Sequence, residues 1–172
     1  MKRTILIFLG TISFLGGHAQ IPQPDPDTTA KHFLQVASIG NLQEVAAGQF
    51  ALQKTKRADV RSFGQMMVKD HGDAEEKLKQ LAGSKKIDLS PPASGDIRPD
   101  LTLKNAGDKF DQLFIHAMLS GHRSTVAMFE NYATTGKDPQ VKAFAQQMLP
   151  TLKAHLAAIK ALDDKYKNLA AN

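Results

Sequence analysis

At 172 residues, 42% hydrophobic and 23% charged, the chain has the size and balance of one folded soluble domain. Lys2 and Arg3 account for two units of its +5 net charge, and the rest is interleaved with acids, which excludes the basic stripe of a nucleic-acid binder. There are no cysteines, which excludes disulfides, thiol catalysis, thiolate metal sites and a lipid-bearing cysteine.

Met1-Lys2-Arg3 is a basic start, Ile5 to Leu15 is an apolar run, and Gly17-His18-Ala19 supplies small residues at cleavage spacing. Residues 1–19 therefore read as a secretory signal cut after Ala19, and the mature protein is expected in the periplasm or outside the cell. The apolar run is too short for a membrane span, which needs about 20 residues. No later segment is apolar for longer, so no transmembrane segment is expected in the mature chain. Residues 20–27, with prolines at 22, 24 and 26, form an extended leader.

A helical pattern then begins at Asp27 or Thr28, both good N-caps. Phe33, Ala37, Gly40, Glu44, Ala47 and Ala51 recur at spacings of three and four, predicting a first helix over about 28–56. Lys54, Lys56 and Arg57 sit at its end, where cations suit a helix C-terminus. A second helix over about 59–83 follows, with Asp59 as N-cap and Gly83 as stop. Its inward stripe is Val60, Phe63, Met67, His71, Ala74, Leu78 and Leu81. So short a turn makes the two helices an antiparallel hairpin.

Residues 84–103 carry Pro91, Pro92 and Pro99 with Ser94-Gly95, and read as a long proline-rich crossover. A third helix, about 104–134, starts between Thr102 and Asp108 and ends at Gly136. Its buried side is Phe110, Asp111, Phe114, Met118, His122, Thr125 and Phe129. Asp138-Pro139 opens a fourth, about 139–167, as N-cap followed by proline in the first helical position. Val141, Phe144, Met148, Leu152, His155, Ile159, Leu162 and Tyr166 face inward, and Pro150 is expected to kink this helix. The fold class is all-α: a four-helix bundle of two antiparallel hairpins over residues 28–168.

His71, His122 and His155 lie on three inward stripes, and Glu44 lies on the fourth. At about 1.5 Å per residue, Glu44 and His71 come out level, while His155 falls about 6 Å from the height of His122. Imidazoles and a carboxylate at similar depth are ordinary ligands of one transition-metal ion, with zinc, copper or nickel the best match. A closed hydrogen-bonded polar core that sets helix register is the other reading of the same four residues. Gly72 and Gly121 beside the histidines would permit close helix approach. Glu75 reads as an exposed partner of Lys79, with outer ligation of the same site as the other possibility. Asp111 lies about 16 Å from His122 and is expected to pair near the start of its own helix. His32 and His116 fall off the stripes, and the methionines read as core filler.

Phe33 through Glu44-Val45, Phe63 to Val68-Lys69-Asp70-His71, Phe110-Asp111 with His122, and Leu149-Pro150 with His155 together resemble the bacterial family called domain of unknown function 4142. The resemblance covers roughly residues 30–166. It implies an exported, ferritin-like four-helix bundle with no established activity. Di-iron bundles use Glu-x-x-His on two helices, whereas Val68 and Leu152 stand three residues before His71 and His155. A di-iron centre is therefore not expected.

Three functions follow. The first is an exported bundle that binds a metal ion or small ligand at Glu44, His71, His122 and His155, in envelope stress or metal handling. The second is a non-enzymatic structural or interaction module with a protein partner in the envelope or self-association; Leu34, Leu42 and Leu52 would feed its outer apolar patch, although inner-core burial is the expected place for them. The third is a metal-dependent enzyme with Glu44 as base beside a metal-bound water.

Overall fold

The periodic runs become long helices in the computed structural model, which describes residues 26–90 and 101–170. The signal segment 1–19, leader residues 20–25 and the proline-rich stretch 91–100 lie outside the described residues. Helix α1 is Pro26–Lys54, α2 Ala58–Ser84, α3 Leu101–Lys104, α4 Phe110–Thr135 and α5 Pro139–Ala170. Helix α1 starts two residues earlier than expected, with Pro26 in the first turn, where a missing N–H leaves no hydrogen bond unmade.

Three of the expected boundaries need correction. Asp59 does not cap α2 from outside: Arg57 holds the N-cap position without a side-chain bond, while Asp59 Oδ1 accepts from the Val60 amide within the first turn. Gly83 does not end α2 either. The helix closes two residues later, with Lys86 in the left-handed region at φ 54°, the Ile87 amide donating to Ala82 and the Lys86 amide to Gly83. Ile87 then packs on the core, which is the apolar contact that accompanies this closure. Finally, the third helix is not continuous from residue 104. The chain breaks after Lys104, takes positive φ at Gly107 and re-enters through a 3-10 turn, Gly107–Lys109. Helix α5 continues through Pro150 as one element.

Three-residue turns join α1 to α2 and α4 to α5, and these hairpins make most of the helix–helix contact. Helix α1 approaches α2 most closely at Gly48 and Gly64. A Cβ on Gly48 would meet the Gly64 carbonyl at 2.6 Å, and one on Gly64 would meet Ala51 Cβ at 2.8 Å. The expected close approach at Gly72 is absent, since nothing lies within 4 Å of its Cβ position.

The core is two apolar clusters, one at each end of the bundle. One joins Phe33, Leu34, Leu78, Phe129, Tyr132, Val141 and Phe144; the other joins Val60, Phe63, Met67, Phe114, Ile115 and Ile159. The membership fixes the topology. The start of α1, the end of α2, the end of α4 and the start of α5 meet at one end, so α2 and α4 run the same way. The end of α2 and the start of α4 therefore lie at opposite ends of the bundle, about 39 Å apart for a 26-residue helix. Leu34 is fully buried, Leu42 and Leu52 are half-buried, and Val36 is the exposed large hydrophobic among the described residues. Leu34 thus takes the inner-core place expected of it rather than feeding an outer patch.

Asp138 sets the start of α5. Its Oδ1 accepts from the Gln140 and Val141 amides at 3.0 Å, and its Oδ2 takes Lys85 Nζ at 2.5 Å, tying the end of α2 to α5. Burial raises the carboxyl, but Lys85 and these amides hold it below the ordinary aspartate range. Asp138→Ala should destabilise the fold by about 1–3 kcal/mol in urea titrations at neutral pH. Because the folded-state value is depressed, this contribution is complete above about pH 4 and fades as pH falls through the lower folded value. Gly48→Ala should cost about 1–3 kcal/mol by the same measurement, because its neighbour at 2.6 Å is backbone and cannot rotate away.

Candidate metal centre

Between the two apolar clusters lies a layer of buried polar side chains: Ser38, Asn41, Glu44, His71, Glu75, His122 and His155. His71, His122 and His155 come together there, with ring centroids 5.2 to 5.6 Å apart. One ring nitrogen from each lies within 4.8 Å of the other two. The expected offset of His155 does not keep it from the cluster. His155 sits 16 residues beyond Pro139 and His122 13 residues before Thr135, so their Cα atoms do differ in height. Helical side chains lean toward their own N-terminus, and here those leans point toward each other, which brings the rings together.

Each imidazole is held from behind. His71 Nδ1 lies 3.0 Å from Asn41 Oδ1, His122 Nδ1 2.9 Å from the Met118 carbonyl, and His155 Nε2 3.0 Å from Asp70 Oδ2. All three partners are acceptors, so each outer nitrogen carries the proton and donates it. The inner nitrogens, His71 Nε2, His122 Nε2 and His155 Nδ1, are then bare lone pairs, buried and without a hydrogen-bond partner. Asn41 is itself oriented, because its amide nitrogen donates to Glu75 Oε2 at 3.3 Å, which turns its oxygen to His71. Glu75 also accepts from Ser38 Oγ at 2.8 Å.

Glu44 borders the His71 side of this cluster. Its Oε2 stands 2.5 Å from His71 Nε2 and its Oε1 3.4 Å from His122 Nδ1. The shorter contact is not aligned as a hydrogen bond, and both atoms remain without a hydrogen-bond partner. With the His71 proton on Nδ1, a lone pair faces a carboxylate oxygen, an arrangement that a shared proton, or a cation bound to both, would relieve. Burial acts to raise Glu44, but the neighbouring His71, then His122 and His155, outweigh it and leave the carboxyl below its ordinary value. Burial pushes His122 and His155 below the usual histidine range, Asp70 opposing the shift at His155. Neutral imidazole is the ligating form.

Of the four residues singled out by periodicity, the structure brings the three histidines into one compact donor set with Glu44 against two of them. Glu75 does pair with Lys79, whose Nζ is 3.6 Å away, but it is buried rather than exposed, at 4%, and belongs to the polar layer. Asp111 pairs near the start of α4 as expected, accepting from the Tyr166 hydroxyl at 3.1 Å. His32 and His116 are exposed. Asp70, Asn41 and Ser38 also belong to the site, beyond the residues of the inward stripes. Ser38 and Asn41 stand at three-residue steps from Glu44 and so share its face of α1. Asp70 is next to His71 and so points about 100° away around α2, which no single-stripe test finds.

A helical bundle with a buried three-histidine cluster is the class that fold and site define. The chain belongs to the family described as a domain of unknown function, DUF4142, which matches residues 17–162. No curated protein matches the sequence. Among solved structures it is similar to CopM in the Cu(I)-bound form, with TM-score 0.68 and 17% identity over 80% of this chain and 96% of that one. CopM in the Cu(II)-bound form gives 0.67 and 17%, over 80% and 97%. A DUF305 fragment from Deinococcus radiodurans gives 0.69 and 15%, over 79% and 95%. These likenesses establish the fold.

The hydrogen bonds fix three tautomers. Long-range proton–nitrogen NMR of the metal-free protein should show His71 and His122 as Nδ1–H and His155 as Nε2–H. In Asp70→Ala, the His155 signals should move toward a tautomer mixture while His122 stays unchanged. A wild-type His155 protonated on Nδ1 would contradict the assignment.

Proposed function

We propose that this protein binds a single transition-metal ion through His71, His122 and His155, with Glu44 as fourth donor, and serves metal handling in the cell envelope. The observation that carries the reading is the set of three inward ring nitrogens, buried, unpartnered and backed by an acceptor on the opposite side of each ring. A backing acceptor fixes the tautomer and raises the basicity of a metal-ligating histidine. A polar core serving only to set register would instead close its hydrogen bonds inward.

On the α5 side, the cavity against His71 and His155 is about 10 Å³, enough for one water-sized particle. Three imidazoles and a carboxylate suit copper, zinc or nickel. Copper leads, because CopM, of the same fold, was solved with both Cu(I) and Cu(II). The apolar Val68 and Leu152 occupy the positions where a di-iron centre needs glutamates. The envelope assignment rests on residues 1–19 and their signal-like pattern.

Protein prepared from the periplasm should contain about one equivalent of a single transition metal and should melt at higher temperature with the ion than after chelation. His71→Ala combined with His155→Ala should abolish both properties while keeping the helical circular dichroism. Absence of metal in the wild type, with no melting shift on adding Cu²⁺, Zn²⁺ or Ni²⁺, would overturn the proposal.

A further inference from the structure

The polar layer is shielded unequally on its two sides. Toward α5, Asp70 holds the His155 ring, and Phe129, Phe144, Met148 and Leu152 wall the small cavity. Toward the outside between α1 and α4 the situation is different. A cleft of about 250 Å³ is lined by Gly40, Gly121, Thr125 and Met128 and reaches Glu44 and His71. A second, of about 340 Å³, comes past Ala117, Met118 and the other side of Gly121 to Glu44. Two glycines keep this route open. A Cβ on Gly40 would meet nothing within 4 Å, and one on Gly121 would meet only Glu44 Oε1, at 3.5 Å.

Glu44 stands where both clefts meet the cluster. Its side chain is nine-tenths buried, and its Oε2 has no hydrogen-bond partner. The imidazoles are pinned from behind by Asn41, the Met118 carbonyl and Asp70, so they cannot swing without losing a buried bond. Glu44 has no comparable aligned bond on its inner oxygen, and a carboxylate is a weaker partner than imidazole for a copper-like ion.

We propose that the α1–α4 cleft is the exchange port of the site, through which the ion arrives and leaves, and that Glu44 is the ligand that lets go and recaptures. The proposal rests on the metal-binding reading above. In it, Gly40 and Gly121 are kept small so that the ion can pass, while the three histidines stay in place.

Stopped-flow uptake of Cu²⁺ by the full mature chain, followed by its release to excess EDTA, tests the port. Gly40→Leu and Gly121→Leu should each slow uptake and release together by about tenfold, with little change in Kd, since a blocked path alters rates and not the bound state. Gly72→Leu is the control for a leucine added to a helix beside a ligand, because its Cβ position is equally open and lines neither cleft. It should exchange at the wild-type rate. Should leucine at position 121 disturb Glu44 and weaken binding, the Gly40→Leu rates decide. One equivalent taken up at wild-type rates by both port variants removes the port and leaves the site standing. A wild-type chain that takes up no Cu²⁺ removes both.

Discussion

The structure turns on three lone pairs buried with nothing to satisfy them. A buried polar atom left without a partner costs about 1–3 kcal/mol, and the layer at mid-bundle holds His71 Nε2, His122 Nε2, His155 Nδ1 and Glu44 Oε2 in that condition. Apolar residues there would join the two hydrophobic clusters into one. The chain instead divides its core and compensates with well-filled ends, Phe33 stacked on Tyr132 at 4.1 Å at one end and Phe63 edge-on to Phe114 at the other. Local cost tolerated at a defined place is the pattern of a functional site.

Holding the rings in that state requires a rigid frame. The Gly48–Gly64 contact draws α1 onto α2, which carry Glu44 and His71, and the Asp138 cap with Lys85 fixes the start of α5, from which His155 is counted. Behind the histidines the polar contacts extend further, from Asn41 to Glu75, Ser38 and Lys79. Glu75 is therefore a buried carboxylate that touches no histidine and still acts on one, by turning the Asn41 amide. The layer is two shells deep on the α1–α2 side, and on the α5 side it ends at Asp70, which meets solvent and Lys69.

The stripes of apolar residues made the four helices legible, because a helix with one buried face repeats its side chains every three or four positions whatever its partners are. They also placed Glu44, His71, His122 and His155 on inward faces. What they could not convey is orientation around the ring. Asp70 lies off the stripe of α2, and the acceptor for His122 is a backbone carbonyl, present at every residue and so carrying no sequence signal. Residue counts place the Cα atoms of His122 and His155 at different heights, and the opposed leans of antiparallel side chains narrow the gap between their rings. Lys86 escaped for a similar reason: a glycine three residues earlier advertised a stop, but the closing geometry was set by where Ile87 could reach the core.

Fold likeness and chemistry separate cleanly here. At 17% identity, the likeness to CopM establishes the path of the helices and assigns no ligand residue of this chain. The argument for an ion comes from within the chain. Ferritin-like bundles support two metals when each histidine has a glutamate one turn before it to bridge them. With Val68 and Leu152 in those places, the glutamates that would bridge a di-iron pair are missing. The same absence explains the asymmetry of the site. Three imidazoles, each tied to an acceptor, make a fixed cup, and Glu44 lies on the side where glycines keep the helices from closing. On the proposed reading, fixed imidazoles on one side and a carboxylate at the opening suit an ion that is exchanged better than one held for structure.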